Sequence, residues 1–175
     1  SLNSIGLVHN NKGDYGKALD YFERSLAITM ELGDKNRTAH NLMNIGYVNH
    51  AKGNYEIALN HYNEYLALTE ELGDRQGISH ILSFIGHIYY CQNKYERTIE
   101  YLERSLKIQK KLGLKGLELQ TLSFLYLSYK NTGKDYDVSE IYTLINESEY
   151  EIYEVHFGLY ELLGDNSFLE KSFNQ

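Results

Sequence analysis

Apolar positions along this chain fall at helical spacing, in blocks that repeat. Leu2, Ile5, Gly6 and His9 stand at i, i+3, i+4 and i+7, one face of a helix over 2–12. Gly13-Asp14 follows, a left-handed stop and a good N-cap. Tyr15, Ala18, Leu19, Phe22 and Leu26 then mark the buried side of a second helix over 15–32, closed by Gly33-Asp34. Forty residues on, the layout returns as Leu42, Ile45, Gly46 and Asn49, a turn at Gly53-Asn54, then Tyr55, Ala58, Leu59, Tyr62, Leu66 and Leu72-Gly73-Asp74. A third block runs through Leu82, Ile85, Gly86, Tyr95, Leu102, Leu106 and Leu112-Gly113. A fixed period in this range predicts an array of stacked helix pairs.

The exceptions sharpen the pattern. Gly6, Gly46 and Gly86 sit mid-helix, where Gly costs about 1 kcal/mol against Ala. Their common interval predicts close approach of a neighbouring helix at that point. Ala18 and Ala58 make the same argument from the second helix, and Thr98 replaces them in the third block. Asn93 takes the place of Gly13 and Gly53, and Asn tolerates a left-handed turn. A fourth block keeps Leu122, Leu125, Tyr129 and Gly133, but Tyr126 stands where Gly is expected. Lys134 then adds a residue before Asp135-Tyr136, Ser139 stands in for the small residue, and a short helix ends near 146–148. Ile152, Val155, Leu159 and Leu162 predict a helix over 149–163, and Phe168, Leu169 and Phe173 open one more. The pattern begins inside a helix and stops without a stop signal, so a piece of a longer protein is expected.

Composition narrows the class. With 42% hydrophobic residues the chain can build a core, and the absence of proline suits long unbroken helices. The 17 tyrosines make that core aromatic with polar tips. A net charge of −7 disfavours nonspecific grip on nucleic acid or anionic membrane, leaving room only for a local basic patch. Cys91 is the single cysteine, which excludes an intrachain disulfide and points to a reducing, cytoplasmic setting. No apolar run approaches the roughly 18 residues of a membrane span, and no signal peptide is visible.

Leu42, Ile45, Gly46, Tyr55, Ala58 and Tyr62 together resemble the tetratricopeptide repeat, with its large residue, Leu-Gly, aromatic, Ala and second aromatic. The period is longer than that family's usual one, and Met30, Glu70 and Lys110 replace its closing Pro. This longer form is similar to repeats in kinesin light chains, cortical polarity adaptors and bacterial peptide-sensing regulators. The stretch from Tyr150 to Phe173 also resembles the repeat tails of large bacterial signalling proteins. The expected fold is all-α, a right-handed α-solenoid of antiparallel helix hairpins. Its repeats would span about 1–34, 35–74, 75–114 and a degenerate 115–147, with 148–175 a helical cap or the start of a further repeat. By resemblance, the chain is a non-catalytic interaction module that holds a peptide or partner segment in a concave groove. It would act as a monomer or weak homodimer, with no cofactor, metal, nucleic acid or membrane.

The first helix of each pair lines the concave side of such a stack. Counting 100° per residue away from Leu42, Ile45 and Asn49 places His40, Met43, Tyr47, His50 and Ala51 there. The equivalents are Asn3, Leu7, Asn10 and Asn11 in the first block and His80, Ser83, His87, Tyr90 and Cys91 in the third. The fourth offers Gln120, Ser123, Leu127, Lys130 and Asn131. The surface is polar, aromatic and nearly uncharged, suited to an extended peptide backbone. His40, His50, His80 and His87 share it, with His50 and His87 in adjacent repeats. They include no i,i+4 His pair and no acidic partner at helical spacing, so no metal is assigned. Cys91 stands one turn from His87, but a pair on one straight helix lacks an oxyanion donor and an orienting third group. No Gly-rich phosphate loop appears, and no basic stripe is evident along the repeats. The alternative to a peptide groove is a regulatory or oligomerisation spacer in a larger bacterial signalling protein, its interface on exposed tyrosines such as Tyr150, Tyr153 and Tyr160.

Overall fold

The computed structural model describes residues 1–147, and these form eight helices and no strand. They are α1 (Leu2–Asn11), α2 (Tyr15–Glu31), α3 (Lys35–Ala51), α4 (Tyr55–Leu72), α5 (Arg75–Cys91), α6 (Tyr95–Leu112), α7 (Lys115–Thr132) and α8 (Ser139–Glu147). The helices expected over 149–163 and from Phe168 lie outside the described residues. Turn chemistry sets the punctuation. Asp14 Oδ1 accepts from the Lys17 amide at 3.3 Å and Asp34 Oδ1 from the Arg37 amide at 3.1 Å, capping α2 and α3. Asn93 holds φ at 57°, where Gly53 holds 75°, so the third hairpin turns like the second without glycine. Asn54 departs from the capping pattern: its amide donates to Asn49 Oδ1 at 3.2 Å instead.

The chain divides into two compact units, Ser1–Gly77 and Ile78–Gln175. In the first, α1 packs on α2, α2 on α3 and α3 on α4. Ala18, Phe22, Ile45 and Val48 form its core, flanked by Tyr15, Leu19 and Leu26. The mid-helix glycines explain themselves here. A Cβ on Gly6 would lie 2.6 Å from the Phe22 ring, and one on Gly46 would overlap the Tyr62 ring. The second helix supplies a large knob and the first supplies the hole. One expectation fails: Ile5 is 42% exposed, not buried, whereas its counterpart Ile45 is 1% exposed. The α2 helix covers Ile45 and Val48 from the preceding pair, and no described helix does this for Ile5 and Val8.

In the second unit Ile99, Leu102, Leu119, Leu122, Leu125, Leu127, Ile141 and Leu144 form the core. Leu102 fills the slot over Gly86, 2.5 Å from where a Cβ would sit. A polar layer crosses the same interior. The Ser105 hydroxyl donates to the Ser79 carbonyl at 2.6 Å, and Ser83 Oγ lies 2.8 Å from Ser105 Oγ and 3.1 Å from Thr121 Oγ1. The Gln109 amide donates to Ser105 at 3.0 Å, so these buried hydroxyls are satisfied within the protein.

The fourth pair breaks the knob-and-hole rule. Tyr126 occupies the glycine position and fills the slot with its own ring, stacked on Tyr129 and Tyr136 at 5.9 and 5.6 Å. The outer helix cannot enter on the earlier register. It starts only at Ser139, capped by Asp137 rather than Asp135, with the Ser139 amide 2.9 Å from Asp137 Oδ1. The short α8 is held by Ile141 and Leu144 in the core and by Glu140, whose carboxylate meets Lys110 at 2.5 Å and accepts from the Tyr126 hydroxyl at 3.4 Å. Burial, reinforced by Glu140, pushes the Tyr126 hydroxyl up to about 12.

Candidate partner-binding surface

In the first unit the surface is carried by α1 and α3. Leu7 and Tyr47, register equivalents, are 41% and 45% exposed. His40, Asn11 and Ala51 are exposed, while Asn3, Asn10, Met43 and His50 are half-buried. The Asn44 side-chain amide donates to Asn3 Oδ1 at 2.8 Å, tying the two first helices together across the repeat. Asn10 Oδ1 is shielded and has no hydrogen-bond partner, so a turn of that amide toward solvent sacrifices no bond at the oxygen. No Asp, Glu, Lys or Arg belongs to this set.

In the second unit α5 and α7 carry the equivalent positions. Half-buried His87 and Tyr90 both pack edge-on against Phe124, with ring centroids at 4.7 and 5.1 Å. His80 packs against Phe84 at 4.8 Å, and burial holds its imidazole below the usual histidine range. Gln120 is half-buried, and Lys130 and Asn131 are exposed. The Asn131 amide is occupied, donating to the Leu127 carbonyl at 2.7 Å. Cys91 is exposed, with Sγ 3.9 Å from His87 Nε2.

Ser123 and Leu127 do not face a partner. Ser123 is fully buried and donates to the Leu119 carbonyl at 2.8 Å, and Leu127 is 3% exposed in the core. Ser83 belongs to the internal hydroxyl layer. The reason is geometric: Asn3 and Ser83 lie on the seam between successive first helices within each unit, where Asn3 meets Asn44 and Ser83 meets Thr121, and Ser123 shares their register. Asn44 and Phe124 were missed for the same reason. They stand one residue further on, and a count of angles around a single helix does not register which neighbour it leans on.

A family model described as tetratricopeptide repeat matches residues 1–71 and again residues 37–111. No curated protein sequence matches the chain. Among solved structures, the apo form of RapI is similar over 98% of this chain and 66% of its own, at 18% identity and a TM-score of 0.82. BtubC from P. vanneervenii is similar over 83% of this chain and 59% of its own, at 21% identity and a TM-score of 0.71. Kinesin light chain-like TPR repeats from Podosopora anserina are similar over 98% of this chain and 91% of theirs, at 15% identity and a TM-score of 0.67. At these identities the likeness is one of fold. The chain spans less than two thirds of the length of the first two.

Proposed function

Since the chain belongs to the tetratricopeptide repeat family, we propose that it is a non-catalytic protein–protein interaction module that binds a peptide or partner segment on the exposed faces of its first helices. The observation that carries this is the α1–α3 surface. It holds side-chain amides at Asn3, Asn44 and Asn10 and two exposed apolar contacts at Leu7 and Tyr47, and the one charged residue in line with them, Arg37 at the start of α3, pairs with Asp34 at 3.4 Å. Amides donate and accept, so they match the alternating N–H and C=O groups of an extended backbone whatever its sequence. Leu7 and Tyr47 supply apolar anchors, and the tyrosine ring does so at low entropic cost. Selectivity then rests on where the partner places its own apolar side chains, not on its charge.

In the second unit His87, Tyr90 and Phe124 offer an aromatic cluster with Gln120 on the same helix as Phe124. It suits a ring or aliphatic side chain of the partner. A random-peptide selection against the purified chain tests the reading. An uncharged class is expected among the enriched peptides, and Tyr47→Ala with Asn44→Ala is expected to abolish the capture of that class while leaving the melting temperature within a few degrees. Failure to enrich any peptide, or undiminished capture by that variant, contradicts the proposal.

A further inference from the structure

The outer face of α6 differs from its counterparts in a way that the peptide-binding surface does not use. Arg104, Lys107 and Lys111 stand at i, i+3 and i+7 and are exposed along one side of that helix. Lys110 and Lys115 flank them, and no acidic residue interrupts the run from 104 to 115. The same twelve positions one repeat earlier hold Glu64, Glu70, Glu71 and Asp74 against a single Arg75. The register is unchanged and the sign is reversed. Lysines in a last helical turn favour the helix dipole, which accounts for Lys110 and Lys111 alone. It does not account for Arg104 and Lys107, two and one turns earlier, nor for the glutamates that end α4.

The nearby acids sit at the edges of the basic run: Glu100 and Glu103 one turn before Arg104 and Lys107, and buried Glu118 close to Lys110 and Lys115. Glu100 pairs with Arg97 at 3.1 Å, Glu103 accepts from the Tyr129 hydroxyl at 2.7 Å, and Glu140 pairs with Lys110. Lys107 and Lys111 have no ion pair among the described residues, and Arg104 lies over the Tyr101 ring with its centre 5.8 Å from the centroid. Beside them Leu112 is 45% exposed. We infer that this stripe is a second interaction surface, specific for an acidic protein segment. Two carboxylates about 6 Å apart, the spacing of Glu residues one helical turn from each other, match Lys107 and Lys111. Leu112 supplies an apolar contact at the end. The stripe is too short for nucleic acid: firm binding there rests on neutralising about 6–10 phosphates, and the rest of this chain carries a net negative charge.

The test is fluorescence anisotropy of a labelled octaglutamate peptide with the whole chain, at low and at near-physiological salt. Binding is expected at low salt, weakening as salt rises. Lys107→Glu with Lys111→Glu is expected to lower affinity by about tenfold or more, as like charges replace complementary ones. Lys12→Glu with Lys52→Glu, exposed lysines elsewhere, is expected to bind like the parent. Should the reversal variant melt early, Lys107→Gln with Lys111→Gln replaces it and is expected to lose several-fold. An octaglutamate that fails to bind, or that binds both α6 variants as it binds the parent, overturns the inference. So does binding of an oligothymidylate or of phosphatidylserine vesicles in its place.

Discussion

At the scale of single residues, shape decides more than propensity. Replacing glycine by alanine in a helix ordinarily stabilises it, by up to about 1 kcal/mol. Gly46→Ala is expected to do the reverse, because its new methyl would overlap the Tyr62 ring in a packed core; overpacking there costs about 1–3 kcal/mol. Gly16→Ala is the internal control: it is helical, exposed and has open space around its missing side chain, so that variant is expected to gain stability. Opposite signs in urea denaturation bear out the knob-and-hole account, and equal signs refute it. Glu118 gives a second residue-scale prediction. It is 7% exposed, and desolvation raises its carboxyl above the ordinary value, with Glu140 adding to the shift and Lys110 opposing it. A raised folded-state value means that the fold favours the protonated form, so stability is lost as pH rises through that value. Glu118→Gln is therefore expected to raise the melting temperature at neutral pH and to leave it unchanged near about pH 3.5, where both proteins carry a neutral group. A variant that is less stable at neutral pH would show that the carboxylate is instead held by a favourable partner.

At the scale of elements, each helix pair reads from its sequence until a side chain changes ownership of the slot. The three regular pairs were legible because Gly6, Gly46 and Gly86 recur beside Phe22, Tyr62 and Leu102, and the turns at Gly53 and Asn93 take the left-handed conformation that their residue types allow. Tyr126 marked the fourth pair as different, but one residue could not say how. Its ring closes the hole, and α8 consequently starts at Ser139, behind an irregular stretch. That helix is short, and its hold on α7 rests on Ile141 and Leu144. Its Lys110–Glu140 pair is half-exposed and adds little, by the usual measure of surface ion pairs. Ile141→Ala is expected to cost about 2–4 kcal/mol and to speed hydrogen exchange over 139–147 before the rest of the second unit. Uniform exchange across α6, α7 and α8 would mean that α8 is no weaker than its neighbours.

At the scale of the whole molecule, period and fold were legible because the three regular pairs share one knob-and-hole contact at a fixed interval. The binding surface was legible only in part. Tyr47 and Leu7 stand exposed as helical counting places them, but counting treats each helix as isolated, and the seam between first helices took Ser123 and Ser83 inward and brought Asn44 and Phe124 forward. Charge misleads when read only in sum: no basic stripe was expected of a chain of net −7, yet Arg104, Lys107 and Lys111 form one on α6, plain in the sequence once it is set against the acidic end of α4. These two surfaces separate by their response to salt. Uncharged peptides selected on the α1–α3 face are expected to change affinity less than about twofold across a range in which exposed charge pairs are screened. The most direct measurement of the central claim is hydrogen-exchange footprinting of the chain with such a peptide bound. Protection is expected on the first helices, strongest around Asn44 and Tyr47 in α3 and Leu7 in α1. Protection confined to the second helices α2 and α4, or none at any residue, would contradict it.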